Sequence, residues 1–385
     1  MKVPLAKPEI TEADIAAVVD VLHSPNLSQG PVMHEFEQAL AAYLGVSHAV
    51  AVNSGTSALQ LALRALGIRD GDEVVLPSFS FMAVTNAVLS ERAIPVFVDV
   101  DPTTLNMDSA SLDAVLSERT RAVIIVHSFG FPAPAAKIVE FAKRHSLAVI
   151  EDACEALGAE LDGTRTGTLG DIGTLAFYPN KLITTGEGGA LITNSRGLAT
   201  RLRSLSNQGR QASFEWFQHT EPGFSYRLSD INCALGLQQL SRIEQTLQRR
   251  EELAACYRRL LKTNANLSCA WHQRSGARTS WFTYPVLLNE SFTLQDRDEI
   301  WAELKQRGIE SGRYFAPSHL QPALRGVPFR CGDLSTTMSI SGRLLCLPLF
   351  QALTESQIEF VCAALNEILG NRAVYCRTVP AAANW

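Results

Sequence analysis

Short apolar runs alternate with longer amphipathic segments through the first half of the chain. The apolar runs are rich in β-branched residues, and segments of helical length separate the first five of them. This alternation predicts an α/β fold with a mostly parallel central sheet flanked by helices. The candidate strands are residues 49–52, 73–76, 95–98, 122–126, 147–150, 173–177 and 189–193.

Polar residues mark where the first helices begin. Thr11 and Asp14 have the spacing of a capping box, so a helix is expected to begin at Thr11. Ile10 can then pack on Ile15, one turn into the helix. A second helix is expected after Pro31.

The second half of the chain predicts a connecting helix and a smaller α+β domain. Helical periodicity runs from about 228 to 264, and a strand at 281–288 and helices at 295–307 and 355–369 follow it. A chain of 385 residues is long enough for two or three domains. The expected units are an N-terminal arm with the first helix (1–30), a large α/β domain (31–240), a connecting helix (241–265), a small C-terminal α+β domain (266–370) and a tail (371–385).

Composition and charge exclude several classes of function. The chain has 34 basic and 39 acidic residues without a basic stripe, which argues against nucleic acid as a partner. Its eight cysteines form no C-x-x-C pair, so neither a metal site nor a disulfide framework is expected. No apolar run reaches the roughly 18 residues of a membrane helix, and the start lacks a signal-peptide core. We therefore expect a cytoplasmic protein.

A candidate phosphate site follows the first strand. The segment N-S-G-T-S-A-L (53–59) ends this strand and begins a helix, whose free backbone N–H groups favour an anion. Gly55 permits close approach of the backbone, and the hydroxyls of Thr56 and Ser57 can add hydrogen bonds. The same segment could equally be a simple helix cap.

An acidic cluster follows the strand at 147–150. In E-D-A-C-E (151–155), Asp152 is expected at the carboxyl edge of the sheet, where ligands bind. Its carboxylate could hold a protonated pyridine nitrogen by an ion pair. An Asp that only caps the next helix is the alternative.

Lys181 differs from the other six lysines in its surroundings. It lies between an apolar strand and the glycine-rich turn T-G-E-G-G (185–189), whereas the others lack such neighbours. A lysine held in a pocket beside a phosphate site can form a Schiff base with a carbonyl group. A lysine on a surface loop is the alternative.

These motifs, in this order, resemble the DegT/DnrJ/EryC1/StrS sugar aminotransferases, which are fold-type I pyridoxal-phosphate enzymes. The resemblance covers residues 4 to 369. It rests on L-S-Q-G-P-x-x-x-x-F-E (27–37), N-S-G-T-S-A-L, P-S-F-S-F (77–81), E-D-A-C-E-A (151–156), F-Y-P-N-K (177–181), T-G-E-G-G and Y-R-L-S-D-I (226–231).

The resemblance implies a role for each residue of the site. Lys181 carries pyridoxal 5′-phosphate as a Schiff base and moves the proton, while Asp152 pairs with the ring nitrogen. Phe81 stacks on the ring, although on pattern alone it could be a core residue of a helix. Glu155 stands where many relatives have Gln or His near the ring hydroxyl, and its carboxylate could instead face a cation or the substrate. The expected cofactor ligands are Gly55, Thr56, Ser57, Phe81, Asp152, Glu155, Lys181 and Ser225, and the expected substrate ligands are Tyr226, Arg227, Tyr314 and His319.

Two positions depart from the family pattern at expected phosphate ligands. Ala176 replaces a common Ser, and Ser225 replaces a common Asn in the segment that reaches the neighbouring subunit. Ala176 cannot donate a hydrogen bond, so weaker cofactor binding is expected. His127 is interpreted as structural support for the pocket, and His319 could be an ordinary polar loop residue.

The resemblance implies transamination of a nucleotide-linked keto-sugar, with a 4-keto-6-deoxy sugar the commoner substrate. Glutamate is the expected amino donor, pyridoxamine 5′-phosphate the expected intermediate, and a homodimer with shared sites the expected assembly. A related keto-sugar dehydratase is the first alternative, but those enzymes have His in place of the lysine. A non-catalytic sensor of the same fold, or an amino-acid enzyme with an arginine for a second carboxylate, are the others.

Overall fold

The computed structural model describes residues 1–210, 218–268 and 275–376, with side chains to residue 372. Its centre is an eight-stranded sheet in the order β1-β9-β8-β5-β4-β2-β3-β13. The strands β8, β5, β4, β2, β3 and β13 are mutually parallel, and β9 runs antiparallel to both of its neighbours. The strands of this sheet are β1 (His48–Val52), β2 (Glu73–Pro77), β3 (Ile94–Val98), β4 (Thr120–Val126), β5 (Ala148–Asp152), β8 (Ile172–Ala176), β9 (Gly189–Thr193) and β13 (Arg330–Cys331).

Helices cover both faces of the sheet. Alternate residues of the strands face opposite cores: Val74 packs with one helical layer and Val75 with the other. This arrangement confirms the predicted α/β fold with a mostly parallel sheet. The helices are α1 (Glu12–Leu22), α2 (Pro31–Leu44), α3 (Gly55–Ala65), α4 (Met82–Ser90), α5 (Ala135–Arg144), α6 (Arg196–Ser206), α7 (Asp230–Ser241), α8 (Ile243–Leu261), α9 (Leu294–Gln306), α10 (Ser335–Ser341) and α11 (Glu355–Cys376).

The C-terminal part forms a second core around a small antiparallel sheet of order β10-β12-β14. Helices α8, α9 and α11 pack against it. A third sheet joins β11 to the hairpin β6-β7. The remaining strands are β6 (Glu160–Leu161), β7 (Thr164–Arg165), β10 (Leu267–Ser268), β11 (Ala277–Arg278), β12 (Tyr284–Leu288) and β14 (Leu344–Leu347). The predicted domain boundaries stay a prediction.

Several predicted elements differ in their limits. The long helical stretch is two helices, which Arg242 separates. The strand expected from Trp281 begins at Tyr284, because Trp281 has a left-handed backbone (φ 55°) that a strand cannot contain. The last helix continues past 369 to Cys376, so the tail is helical over its first residues. Residues 377–385 lie outside the described part of the chain.

The first helix begins as predicted but packs differently. Thr11 caps it with the reciprocal capping box to Asp14. Ile10 and Ile15 are each 48% exposed, so the expected packing between them buries little surface. Asp14 is buried and accepts hydrogen bonds from Arg242. Burial by itself would raise the pKa of the Asp14 carboxyl, but the bonds from Arg242 help to hold this pKa below its usual value.

Asp230 joins two of the sequence motifs. Its buried carboxylate accepts hydrogen bonds from the backbone N–H groups of Gly30 (2.8 Å), Val32 (3.1 Å) and Met33 (3.4 Å) at the start of α2. A β-carbon at position 30 would lie 2.6 Å from the Asp230 carboxylate, so only glycine fits. The contact fixes the segment before α7 against the start of α2.

Candidate active site

Several strands end at one edge of the large sheet and surround a cavity of about 300 Å³. Because β1, β4, β5 and β8 run in the same direction, the residues after them meet at this edge. Phe315 and Phe282 from the C-terminal part close the other side. The lining residues taken from the predicted site are Gly55, Thr56, Phe81, Asp152, Glu155, Lys181 and Tyr314, together with Ala176 and His127.

The start of α3 forms one end of the cavity. Ser54 caps the helix by accepting a hydrogen bond from the Ser57 N–H (3.0 Å), and the two hydroxyls are 2.9 Å apart. Gly55 and Thr56 line the cavity, whereas Ser57 is buried and faces Ser54. A β-carbon at Gly55 would lie 2.7 Å from the β-carbon of Ala176. Close packing of the helix on β8 therefore requires glycine here.

Asp152 is the last residue of β5 and is 7% exposed. Its Oδ1 accepts a hydrogen bond from the Cys154 N–H (3.0 Å), which fixes the side chain at the strand end. The carboxylate thus lies in the cavity wall, close enough to influence both Cys154 and Glu155 electrostatically. It is well placed to attract a cationic group of a ligand.

Lys181 is 16% exposed and has two close contacts in the described structure. Its Nζ lies 3.4 Å from Oε1 of Glu155 and 4.2 Å from the ring centroid of Phe282. The other carboxylate oxygen of Glu155 accepts a hydrogen bond from the Phe129 N–H (2.9 Å). Burial raises the pKa of Glu155, and the charge of Lys181 opposes that rise. Glu155 therefore faces a cation, which was one of the possibilities open in the sequence.

Aromatic side chains surround the opening of the cavity. Phe81 is the N-cap residue of α4 and is 64% exposed, so it is not the core residue of a helix. Its ring can cover a planar ligand. Tyr314 stacks between Phe282 (6.4 Å between centroids) and Phe315 (5.4 Å).

His127 lies in the cavity wall but its ring is fully engaged. Its Nδ1 accepts a hydrogen bond from the Ala133 N–H, which leaves Nε2 to donate to Glu151 at 3.0 Å. Glu151 also accepts backbone hydrogen bonds from Leu169 and Gly170. Burial opposes ionisation, yet the bonds from His127 and these amides hold the pKa of Glu151 below its usual value. These contacts agree with a structural role for His127.

Besides Ser57, four predicted site residues do not line the cavity of this single chain. Tyr226 donates to Gln60 (2.8 Å), Arg227 donates to Asn207 (3.0 Å), and Ser225 pairs with Asn207 in an isolated bridge. His319 lies beside Ser78, with 2.6 Å between Nδ1 and Oγ, and burial lowers its pKa. The structure thus separates these four from Lys181.

The sequence prediction missed other lining residues. Phe282 contacts Lys181 directly, and its segment was assigned only as part of a strand. Asn180, beside Lys181 in F-Y-P-N-K, lines the cavity, and its Oδ1 is buried without a hydrogen-bond partner among the described residues. Its place in the motif was an available signal. Glu187 in T-G-E-G-G also lines the cavity, and its place in that motif was likewise an available signal.

Comparison with known proteins identifies the family. The profile of the DegT/DnrJ/EryC1/StrS aminotransferase family matches residues 8–366. The chain belongs to this family. It is therefore a pyridoxal-phosphate-dependent sugar aminotransferase, which agrees with the resemblance found in the sequence.

Individual members of the family match over nearly the whole chain. GDP-perosamine synthase of Caulobacter vibrioides is 39% identical over 370 residues, covering 96% of this chain and 98% of that protein. UDP-4-amino-4-deoxy-L-arabinose–oxoglutarate aminotransferase of Shewanella sediminis is 35% identical over 386 residues, covering 96% and 98%. The crystal structure of the aminotransferase TlmJ from Streptoalloteichus hindustanus has a TM-score of 0.91 and 34% identity, covering 97% and 100%.

The cavity fits the cofactor of this family. Its end at α3 offers backbone N–H groups for a phosphate, Asp152 offers an anion, and Lys181 offers an amine. The unpartnered Oδ1 of Asn180 shows that the wall has a polar atom available for a ligand. Among the described residues no group of three or more His, Cys, Asp or Glu is placed to bind a metal ion. No helix in the described ranges is long and apolar enough to cross a membrane.

Proposed function

We propose that the protein transfers an amino group from glutamate to a nucleotide-linked keto-sugar, a 4-keto-6-deoxy sugar being the preferred acceptor. The observation that carries this proposal is the convergence of Lys181, Asp152 and the start of α3 on one cavity. The names of the relatives support the substrate class, because two of them include GDP-perosamine and UDP-4-amino-4-deoxy-L-arabinose. The second name also includes oxoglutarate, the keto acid that glutamate leaves behind.

The chain's own residues would hold the cofactor at three points. The backbone at Gly55 and Thr56 would bind the phosphate through the free N–H groups at the start of α3, next to Ser57, which is itself bonded to Ser54. Asp152 keeps the ring nitrogen protonated, and Phe81 covers the ring face. Held by these residues, pyridoxal 5′-phosphate would supply the electron sink and the group that carries the amine between the two substrates.

Lys181 would bind the cofactor covalently and act as the general base. Its amine can take a proton from one carbon and return it to another because it lies inside the cavity rather than in bulk water. Glu155, 3.4 Å away, compensates the charge that Lys181 then carries. Water is excluded from this proton by the rings of Phe282 and Tyr314.

A homodimer with shared active sites is part of the proposal. Ser225, Tyr226 and Arg227 are predicted ligands, yet they do not line the cavity of their own chain. Their segment is fixed by Asp230 against α2, so it is held firmly enough to serve a neighbouring site. A two-fold axis would place each such segment at the partner's cavity.

The first experiment is the absorbance spectrum of the purified protein with pyridoxal 5′-phosphate, before and after glutamate. We expect a visible band that disappears with glutamate and returns with a keto-sugar nucleotide, with the aminated product identified by mass. Lys181→Ala should abolish the glutamate response, whereas Lys137→Ala, on the outer helix α5, should retain it. If the native protein with pyridoxal 5′-phosphate shows no visible band, the proposed function is rejected. A band that ignores glutamate rejects the donor.

A further inference from the structure

Phe282 contacts the amine of Lys181, and nothing in the family motifs assigns it a role. The Nζ atom lies 4.2 Å from the centroid of the Phe282 ring, well within the distance of a cation–π contact. The Lys181 side chain is 16% exposed and the Glu155 side chain is 11% exposed. Little water can therefore reach the amine in place of these contacts. The ring and the carboxylate are therefore the principal groups that stabilise an ammonium here.

The backbone around Phe282 is held in an unusual conformation. Trp281 precedes it with φ at 55°, in the left-handed region, and is fully buried. The guanidinium of Arg250 donates to the carbonyls of both residues, at 2.7 Å to Trp281 and 3.3 Å to Phe282. Arg250 thus fixes the direction in which the Phe282 ring points.

Arg250 is itself an unusual residue for this purpose. It is only 2% exposed, and the hydrogen bonds described for it go to carbonyl oxygens and to Gln351, which are all neutral. Burial lowers its pKa to about 10. A charge buried against neutral acceptors is unfavourable to the fold, so this position depends on the hydrogen bonds that Arg250 donates to the two carbonyls.

The same turn anchors both groups that contact Lys181. The Phe129 carbonyl accepts a hydrogen bond from the Phe282 N–H (3.0 Å), and the Phe129 N–H donates to Glu155 (2.9 Å). The Ser280 hydroxyl adds a bond to the Glu155 carbonyl (3.2 Å). At Gly130 a β-carbon would lie 2.8 Å from the Trp281 nitrogen, so the two segments touch at the backbone. Ring and carboxylate are consequently fixed relative to each other.

We propose that Phe282 is a positioning residue for Lys181: its ring and the Glu155 carboxylate hold the free ammonium while the lysine is not bonded to the cofactor, and Arg250 fixes the ring. The proposal rests on the proposed function, since only a lysine that is released during the cycle needs such a place. The charged or titratable groups that face this position are Glu155, Asp152, Cys154, Tyr314 and Cys346.

The test measures the reactivity of Lys181 in the cofactor-free protein. Trace acetic anhydride labels only neutral amines, and peptide mass spectrometry reports the rate at Lys181 across a pH series. Phe282→Leu removes the π face, and we expect it to increase the labelling rate roughly 3- to 30-fold at neutral pH. Phe282→Tyr keeps the ring face and should restore the native rate.

The pH series separates stabilisation of the charge from steric shielding. Loss of charge stabilisation raises the rate only where the amine is partly protonated, so the native and Phe282→Leu rates should converge at alkaline pH. A ratio of one at neutral pH, or a ratio that stays constant with pH, would overturn the proposal. Phe282→Met repeats the test if the leucine variant does not fold, and Phe292→Leu, in the core of the C-terminal part, controls for general loosening.

This readout is independent of turnover. If the native protein shows no band with pyridoxal 5′-phosphate but the labelling behaves as expected, the function is wrong and the ammonium site stands. If the glutamate response is present and Phe282→Leu labels like the native protein, the function stands and the role of Phe282 is rejected. Arg250→Met, which removes the Nη1 group that donates to both carbonyls, should shift the labelling in the same direction as Phe282→Leu.

Discussion

Replacing Asp230 tests how firmly the segment before α7 is held. Its fully buried carboxylate accepts three backbone N–H groups at the start of α2, at 2.8, 3.1 and 3.4 Å. Hydrogen bonds to a charged group contribute about 1.5–3 kcal/mol each, and the longest of the three contributes little. Asp230→Ala should therefore destabilise the protein by about 3–5 kcal/mol. Asp230→Asn keeps one acceptor oxygen and should cost about 1–2 kcal/mol.

Urea unfolding followed by tryptophan fluorescence gives these differences, and hydrogen exchange over residues 31–44 locates them in α2. Asp333 is the matched control, because its exposed carboxylate accepts a hydrogen bond from the Ser335 N–H (3.0 Å) at the start of α10. Asp333→Ala should cost about 1 kcal/mol or less. Two results would contradict this reasoning. One is a free energy of unfolding for Asp230→Ala within about 1 kcal/mol of that of the native protein, and the other is an equal loss of stability in the asparagine and alanine variants.

Three further predictions concern the cavity. Burial raises the pKa of Glu155 in the folded protein. The stability that this group contributes is therefore present at low pH and is lost as the pH rises through its pKa in the folded state. Glu155→Gln should therefore gain in melting temperature relative to the native apoprotein as the pH rises above the ordinary pKa of a glutamate carboxyl, and parallel curves would contradict this. Gly55→Ala should weaken binding of pyridoxal 5′-phosphate at least tenfold in titrations, because the new methyl group would lie 2.7 Å from Ala176. Ala176→Ser adds a donor and should tighten cofactor binding by roughly 2- to 12-fold, and an unchanged affinity would show that the phosphate does not reach this position.

Much of this fold could be predicted from local patterns. The β-branched runs of β1 to β5 and the glycine-rich turns signal their own structure within a few residues. The break at Arg242 lies where this residue contacts Asp14, which is 228 residues away, and such a contact has no local signal. The same limit applies to the start of β12, where the buried Arg250 donates to the carbonyl of Trp281.

The site was predictable only where it coincides with motifs. Asp152 and Lys181 follow recognisable strands and lie together in the cavity. The contact of Glu155 with Lys181 joins two motifs that the sequence offers, whereas Phe282 meets Lys181 from a segment more than a hundred residues away. Nothing local in S-W-F-T-Y indicates that its phenylalanine faces a lysine.

The reversed direction of β9 has a consequence for the connection that carries Lys181. β8 ends and β9 begins at the same edge, with Ala176 paired to Gly189, so residues 177–188 leave and return without crossing the sheet. A helical crossover also passes the far edge of the sheet, where an insertion would lie away from the site. This hairpin connection lies entirely at the edge that carries the site. Any insertion or deletion in these twelve residues would therefore change the segment that holds Lys181 at the edge of the cavity.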